Sequence, residues 1–290
     1  MTTASAVRRR GKGTTALLVG PAAAFFLLLL VMPLAVVLIY SFGERAPAGG
    51  YAPAFTFDNY LNLASRGQAF LNTLMMAPLG TLLCALVAYP MAYYLAVKAS
   101  PQWRTLLLVL IIVPFWASQL LRIYAWLLIL GNRGIPAFLE ILGISDLRLV
   151  NTPFAVLVGM VYGYLPLMIF PIYVSLERLD KRLLEASADL GANSWRTFRQ
   201  VTLPMSLPGV ATGSLLVFIL LMGEFIIPAL LGGGKVFFLG NALVDLFLQS
   251  RNWPFGAAVA VSVVVIMLAT IAVYMRFVLG KSQLRQEALV

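Results

Sequence analysis

Residues Glu185–Pro204 read EASADLGANSWRTFRQVTLP, between two long apolar segments of a 290-residue chain that is 61% hydrophobic. Glu185, Asp189, Arg196 and Arg199 cannot sit in hydrocarbon, where one charge at the bilayer centre costs on the order of 3 kcal/mol. The stretch is therefore a polar connection between membrane-crossing helices. Leu183, Leu184, Ala186, Ala188 and Leu190 alternate with charges in a pattern suited to a short surface helix. Gly191 ends that helix, because glycine takes the left-handed conformation that closes a helix at low cost. A second helix is expected from Asn193 or Ser194, both good N-caps, running to VTLP. Pro204 and Pro208 then permit a bend into the next membrane helix. The expected product is a bent pair of surface helices on a stiff mount, which can transmit force.

Working outward, 11% charged residues and a mean hydropathy of +0.92 set the chain apart from soluble domains, in which about a quarter of residues are charged. The expected fold class is all-α and polytopic, with six transmembrane helices near 16–41, 69–97, 104–130, 153–176, 207–231 and 256–279. Each is long enough for a 1.5 Å rise per residue to cross the hydrocarbon. The first follows VRRRGKG, but its apolar run is too long for a signal peptide, so it is expected to remain as a helix. With the N-terminus inside, 14 of the 21 Lys and Arg residues fall on inner segments, which places both termini in the cytoplasm. The expected layout is a tail at 1–15, a helix at 16–41, an extracytoplasmic loop at 42–68, a five-helix core at 69–279 carrying the inner loop 177–204, and a tail at 280–290. The outer connections, roughly 42–68, 131–152 and 232–255, are rich in Gly, Pro and Asn and include the short helical pattern NALVDLFLQS. No internal repeat or second soluble domain is evident.

Several functions are disfavoured. The single Cys84, in an apolar run, excludes an internal disulfide framework and a Cys-based zinc site. The absence of His removes the commonest general base and metal ligand. A P-loop needs GxxxxGK followed by Ser or Thr, and neither RRRGKGTT nor LGGGKVF supplies it. The net charge of +10 marks the cytoplasmic side of a membrane protein rather than a nucleic-acid surface.

The spacing Glu-Ala-small, three residues, Gly, nine residues, an aliphatic, one residue, Leu-Pro falls on Glu185, Ala186, Ser187, Gly191, Val201, Leu203 and Pro204, with Asp189 inside it. It resembles the EAA loop of the membrane subunits of bacterial ABC importers. Ser187 stands where that family usually has Ala, and Val201 where it usually has Ile; both keep size and shape. Further stretches, IIVPFWASQLLRIYAW, LERLDKRLLEASADLGA and NWPFGAA, are similar to the B-type permeases of spermidine/putrescine importers and their relatives. FTFDNYLNL and FLNTL are similar to the wider superfamily. The resemblance implies a type I ABC importer permease in a bacterial inner membrane, whose coupling helix docks in a cleft of an ATPase subunit. It also implies a second, related permease, two ATPase copies and an extracytoplasmic solute-binding protein as partners. ATP and magnesium would be bound by the ATPases, with no cofactor and no metal in this chain. A polyamine is the first expected solute; an opine, an amino acid or another small solute is the alternative within the class.

Ionisable groups at membrane depth are functional candidates. Glu224, in LLMGEFIIPALLGGG, either faces a pathway and attracts a cation, or bonds to backbone freed where Gly223 and Pro228 interrupt the helix. Arg122, near Trp116, Tyr124 and Trp126, either snorkels from an outer interfacial helix created by a break at Pro114, or belongs to a pathway wall whose aromatic faces hold an ammonium. Tyr162 and Tyr164 carry the same two readings. Gly159 and Gly163 form a GxxxG pair suited to close helix packing. Asp245 is either a solvated position on an outer helix, or meets the solute-delivery protein or an outer gate. Two other classes stay open: an ion-driven secondary transporter, for which 177–204 would be a plain loop, and, more weakly, a membrane-embedded enzyme.

Overall fold

The structure, a computed structural model, describes residues 19–144 and 147–287, excepting the side chains of 181 and 277–287. The chain divides into two compact units, Met1–Ala64 with Asp245–Ser262, and Ser65–Val244 with Val263–Val290.

In the first unit, α1 (Val19–Ser41) is long and apolar enough to cross a membrane, and its most apolar window has no residue buried within this chain. A helix apolar on all sides suits a lipid surround. The following loop is not wholly irregular. A two-stranded antiparallel hairpin pairs β1 (Glu44–Arg45) with β2 (Tyr51–Ala52). The Tyr51 ring stacks on Tyr40 at 4.1 Å. Asn59 Nδ2 donates to the carbonyls of Ser41 and Gly43, and the Arg45 guanidinium donates to the Ser250 carbonyl at 2.8 Å, so the loop is held at both flanks.

The second unit is built on α2 (Gly67–Tyr93, continued by a π-helical turn to Lys98), α6 (Pro153–Glu177) and α8 (Ser194–Met222), which pack against one another. The reason lies in one stripe of α2. Its buried residues are Ala69, Thr73, Ala77, Gly80, Thr81, Cys84, Ala88 and Ala92, all small and, apart from the adjacent Gly80 and Thr81, three or four positions apart. Lipid supplies no hydrophobic drive for helix association, so close approach of small faces and the resulting dispersion contacts carry it. Large side chains fill the seam: a side chain on Gly80 would press on Met160 of α6 and Leu221 of α8, and one on Gly213 of α8 on the Met168 sulfur of α6. The hydroxyls in the seam are satisfied, with Thr73 and Thr81 donating to carbonyls one turn back.

The membrane helices differ from the expected spans at three points, two of them the breaks that Pro114 and Gly223 had left as open readings. The segment 104–130 is not one helix. α3 (Pro101–Trp116) stops, Ala117 and Ser118 are extended, and α4 (Gln119–Leu130), followed by α5 (Ile135–Ile141), departs at 95°. Pro114 removes one backbone donor, and the turn closes with Ala117 N–H on the Pro114 carbonyl before the chain leaves helical geometry. The segment 207–231 is broken as well, since α8 ends at Met222 and α9 (Ile226–Leu231) begins after Gly223, Glu224 and Phe225. Finally, Pro204 and Pro208 do not interrupt the helix below them. Ser194–Met222 is a continuous helical run, with a π-helical turn over Phe198–Thr202 widening the ladder just before Pro204, whose missing N–H would otherwise leave a gap. The run is followed by α10 (Leu239–Val244), a π turn over Asp245–Gln249, and α11 (Trp253–Glu287), which continues into the stretch expected as a tail at 280–290. The expected tail at 1–15 lies outside the described residues.

Candidate functional site

The connection between α6 and α8 is the elbow that its residues promise. Arg104, at the start of α3, donates to Glu177 Oε1 at 3.2 Å and to the Ala96 carbonyl, and Tyr173 donates to the same Glu177 oxygen at 2.7 Å. These bonds tie α2, α3 and α6 together where the connection leaves the bundle. Asp180 then caps α7 (Lys181–Asp189), its carboxylate accepting from Arg182 N–H. Gly191, at φ +77°, closes it. Ala192 N–H bonds to the Ser187 carbonyl at 3.1 Å and Gly191 N–H to the Ala188 carbonyl at 2.9 Å, the paired bonds of a Schellman cap. Asn193 caps the next helix through Arg196 N–H at 2.8 Å.

Two contacts within the elbow escape a reading of the sequence. The Ser187 and Thr197 hydroxyls bond at 2.9 Å, pinning α7 to the first turn of α8, so Ser187 does more than imitate an alanine. Phe198 stacks on Trp195 and meets Tyr89 and Tyr93 of α2 edge-on, at 5.7 and 6.3 Å between ring centroids. Below that contact Tyr89 and Ser206 share a hydrogen bond of 2.8 Å. The elbow is thus rooted in both α2 and α8. Its outward face offers Glu185, Ala186 and Asp189 to solvent, with the large apolar side chains Leu190 and Trp195 also exposed, while Val201, Leu203 and Pro204 are half-buried at the root. An exposed apolar and acidic face on a rigidly capped turn suits docking.

The membrane candidates fall into two groups. Trp116 is 83% exposed and Tyr124 is exposed, so both are open to lipid or a partner. Trp126 meets Tyr162 edge-on at 5.5 Å. Arg122 lies over the Phe115 ring at 5.4 Å from its centroid, so its aromatic partner is not one of those flagged in the sequence. Asp245 belongs to the other compact unit, where its carbonyl accepts from Ser250 N–H at 2.8 Å.

Glu224 is only 5% exposed. Its Oε1 accepts the N–H groups of Phe225, Ile226 and Ile227 at 3.0, 2.9 and 3.2 Å, the orphan donors at the start of α9. Its Oε2 accepts from Gln119 Nε2 at 3.2 Å and from the Tyr164 hydroxyl. Of the two readings open in the sequence, this is the geometry of the second, a carboxylate serving backbone freed by a helix break. Gln119 was not singled out by any sequence signal. The GxxxG pair packs as expected: a side chain on Gly159 would run into Leu231 and Ile227 of α9. Among the described residues, no group of three or more His, Cys, Asp or Glu side chains is placed to hold a metal ion.

The family model described as "Binding-protein-dependent transport system inner membrane component" matches residues 14–281. The spermidine/putrescine transport system permease protein PotB of Haemophilus influenzae is 43% identical over 251 residues, covering 85% of this chain and 87% of the relative. PotB of Escherichia coli is 41% identical over 250 residues, covering 84% and 90%. Among solved structures, a chain of the bacterial alginate ABC transporter in complex with an alginate pentasaccharide-bound periplasmic protein superposes with a TM-score of 0.74 over 95% of this chain and 97% of that one. At 16% identity that likeness shows a shared fold.

Proposed function

We propose, because this chain belongs to the family of binding-protein-dependent transport system inner membrane components, that it is the half of an ATP-driven importer through which a polyamine crosses the bilayer. Membership makes it a multi-pass inner-membrane permease of an ABC importer. The observation that carries the polyamine assignment is 43% identity to a spermidine/putrescine permease over 85% of the chain. Both termini are cytoplasmic in this reading, supported by the distribution of Lys and Arg. The partners are a related permease, two copies of an ATPase that bind ATP and magnesium, and an extracytoplasmic solute-binding protein.

The mechanism follows from how the elbow is mounted. ATP closes the ATPase dimer and carries the docked elbow with it. Displacement enters α2 through Phe198 against Tyr89 and Tyr93, and enters α8 directly, because Ser194–Met222 is one helical run. The Schellman cap at Gly191 and the Ser187–Thr197 bond keep the elbow from absorbing that displacement as a local bend. The permease pair opens outward, takes solute from the binding protein, and resets on hydrolysis. Trp116, Tyr124, Trp126 and Tyr162 are the proposed aromatic contacts for an ammonium group, and Asp245 a proposed contact on the outer side. Arg122 is proposed to organise the wall through Phe115.

The test is uptake into proteoliposomes holding the complete complex. The expected result is spermidine or putrescine accumulation that requires both ATP and loaded binding protein. Stimulated hydrolysis with an opine or amino acid carried in place of a polyamine would reject the substrate. Ion-gradient-driven uptake without the ATPase would reject the class.

A further inference from the structure

Two of the membrane-crossing segments of the second unit are broken, and the breaks are bonded to each other. The first lies at Ala117 and Ser118, between α3 and α4; the second at Gly223 to Phe225, between α8 and α9. Gln119 is the first helical residue beyond one break and Glu224 lies inside the other. Although 105 positions apart in sequence, they share a hydrogen bond of 3.2 Å. Tyr164, on the unbroken α6, donates to the same carboxylate oxygen, and the other oxygen holds three N–H groups of α9. One side chain thus joins α4, α6 and α9 at a single point.

The surroundings reinforce that joint. α9 packs on both α4 and α6, and Gly159 lets it approach α6 closely. Asn241 donates to the Phe225 carbonyl at 2.8 Å, and Asn72 of α2 donates to the Phe237 carbonyl, so the chain after α9 is anchored as well. By contrast, α3 runs into α4, and α8 into α9, through two or three non-helical residues, and across the first of these links Arg122 lies over the Phe115 ring. A short non-helical link absorbs φ/ψ change easily, whereas a buried carboxylate with five donors does not.

We infer that Gln119, Tyr164 and Glu224 are positioning residues that make the segments beyond the two breaks, α4 and α9, move as one body, with α3 and α8 hinging beneath it. The inference rests on the transport reading above, since α8 is the element that continues from the docked elbow and ends at the joint. Without the joint, displacement passing from α8 through the turn at Gly223, whose N–H bonds to the Leu220 carbonyl, would move α9 alone. With it, the same displacement carries α4 along with α9, and with α4 the aromatic side chains of Tyr124 and Trp126.

The test uses the complete complex in proteoliposomes, in a Cys84→Ser background, with spin-label pairs on exposed positions. Leu128 of α4 with Ala229 of α9 reports the body, and Leu128 with Leu216 of α8 reports the hinge. The Leu128–Ala229 distance is expected to stay fixed between nucleotide-free and ATP-bound complex while the Leu128–Leu216 distance changes. Gln119→Leu breaks the joint but leaves the α9 cap intact; it should broaden the Leu128–Ala229 distance and lower solute moved per ATP about tenfold, as loss of one hydrogen bond to a charged group implies. The exchange Gln119→Glu with Glu224→Gln reverses donor and acceptor, keeps an oxygen for the α9 N–H groups, and should restore both readouts. A role in stability alone would lower the yield of assembled complex and leave solute per ATP and the Leu128–Ala229 distance unchanged in the complex that assembles. The inference is overturned if the Leu128–Ala229 distance moves with nucleotide as much as the hinge pair does, if Gln119→Leu leaves solute per ATP unchanged, or if the exchange assembles without restoring it. Because the distances are read with nucleotide alone, a wrong cargo leaves them intact and sinks only the polyamine assignment.

Discussion

Gly191→Val is the perturbation that bears most directly on the elbow. Gly191 sits at φ +77°, in the left-handed region, and the space where a Cβ would stand has no heavy atom within 4 Å. A Cβ there meets no crowding, so the main effect of a side chain is backbone strain. That strain is about 1–2 kcal/mol for an ordinary residue and greater for a β-branched one. The loop then either bears the strain or swings position 191 out of the left-handed region, losing the Ala192-to-Ser187 and Gly191-to-Ala188 bonds together. A difference of 1–2 kcal/mol shifts the population of the capped elbow by a factor of about 5–30. Asn visits the left-handed region more readily than other non-glycine residues. Stimulation of ATP hydrolysis by loaded binding protein should therefore rank Gly above Asn, Asn above Ala and Ala above Val, with Val close to the unstimulated rate. The assay is hydrolysis by reconstituted complex against binding-protein concentration, alongside recovery of the ATPase with the purified permease. Full stimulation in the Val variant, or Val equal to Asn, would refute the argument, because neither is compatible with docking that depends on the cap.

Two further outcomes are expected of the same elbow. In a Cys84→Ser background, a cysteine at Ala186 or Ala188, both exposed, should cross-link to the ATPase in a nucleotide-dependent manner; free labelling from outside the cell with an impermeant thiol reagent would reverse the proposed topology. Phe198→Ala removes ring contacts to Trp195, Tyr89 and Tyr93, together about 2–4 kcal/mol at typical aromatic-pair values. Solute moved per ATP should fall at least tenfold on the order of that loss, and a wild-type ratio in an assembled Phe198→Ala complex would reject Phe198 as the transmitting contact.

How much of this was legible in the chain depends on how far apart the interacting groups lie. Membrane helices are set by runs of apolar residues, a local property, and five of the six expected segments correspond to helices long and apolar enough to cross, the sixth being the bent pair. The elbow was legible for the same reason. Its caps join groups two to five residues apart, at Asp180, Gly191 and Asn193, and the residues that make such bonds are few. Helix breaks were legible only as alternatives, at Pro114 and Gly223, because a proline by itself does not decide one. Pro78, Pro90, Pro166, Pro171 and Pro208 all lie inside continuous helices, whereas a break follows Pro114. A proline always removes one donor, but whether the helix then parts depends on whether neighbouring helices hold the strand of backbone in place, and that is decided by packing. Glu224 could be flagged as a carboxylate in an apolar run. Its service to the N–H groups of Phe225, Ile226 and Ile227 is local and was one of the two readings, whereas its tie to α4 and α6 was decided by Gln119 and Tyr164, 105 and 60 residues away, which only the tertiary structure brings to its second oxygen. A buried charge takes whatever donors the fold supplies, and no spacing in the chain encodes donors contributed by three separate helices.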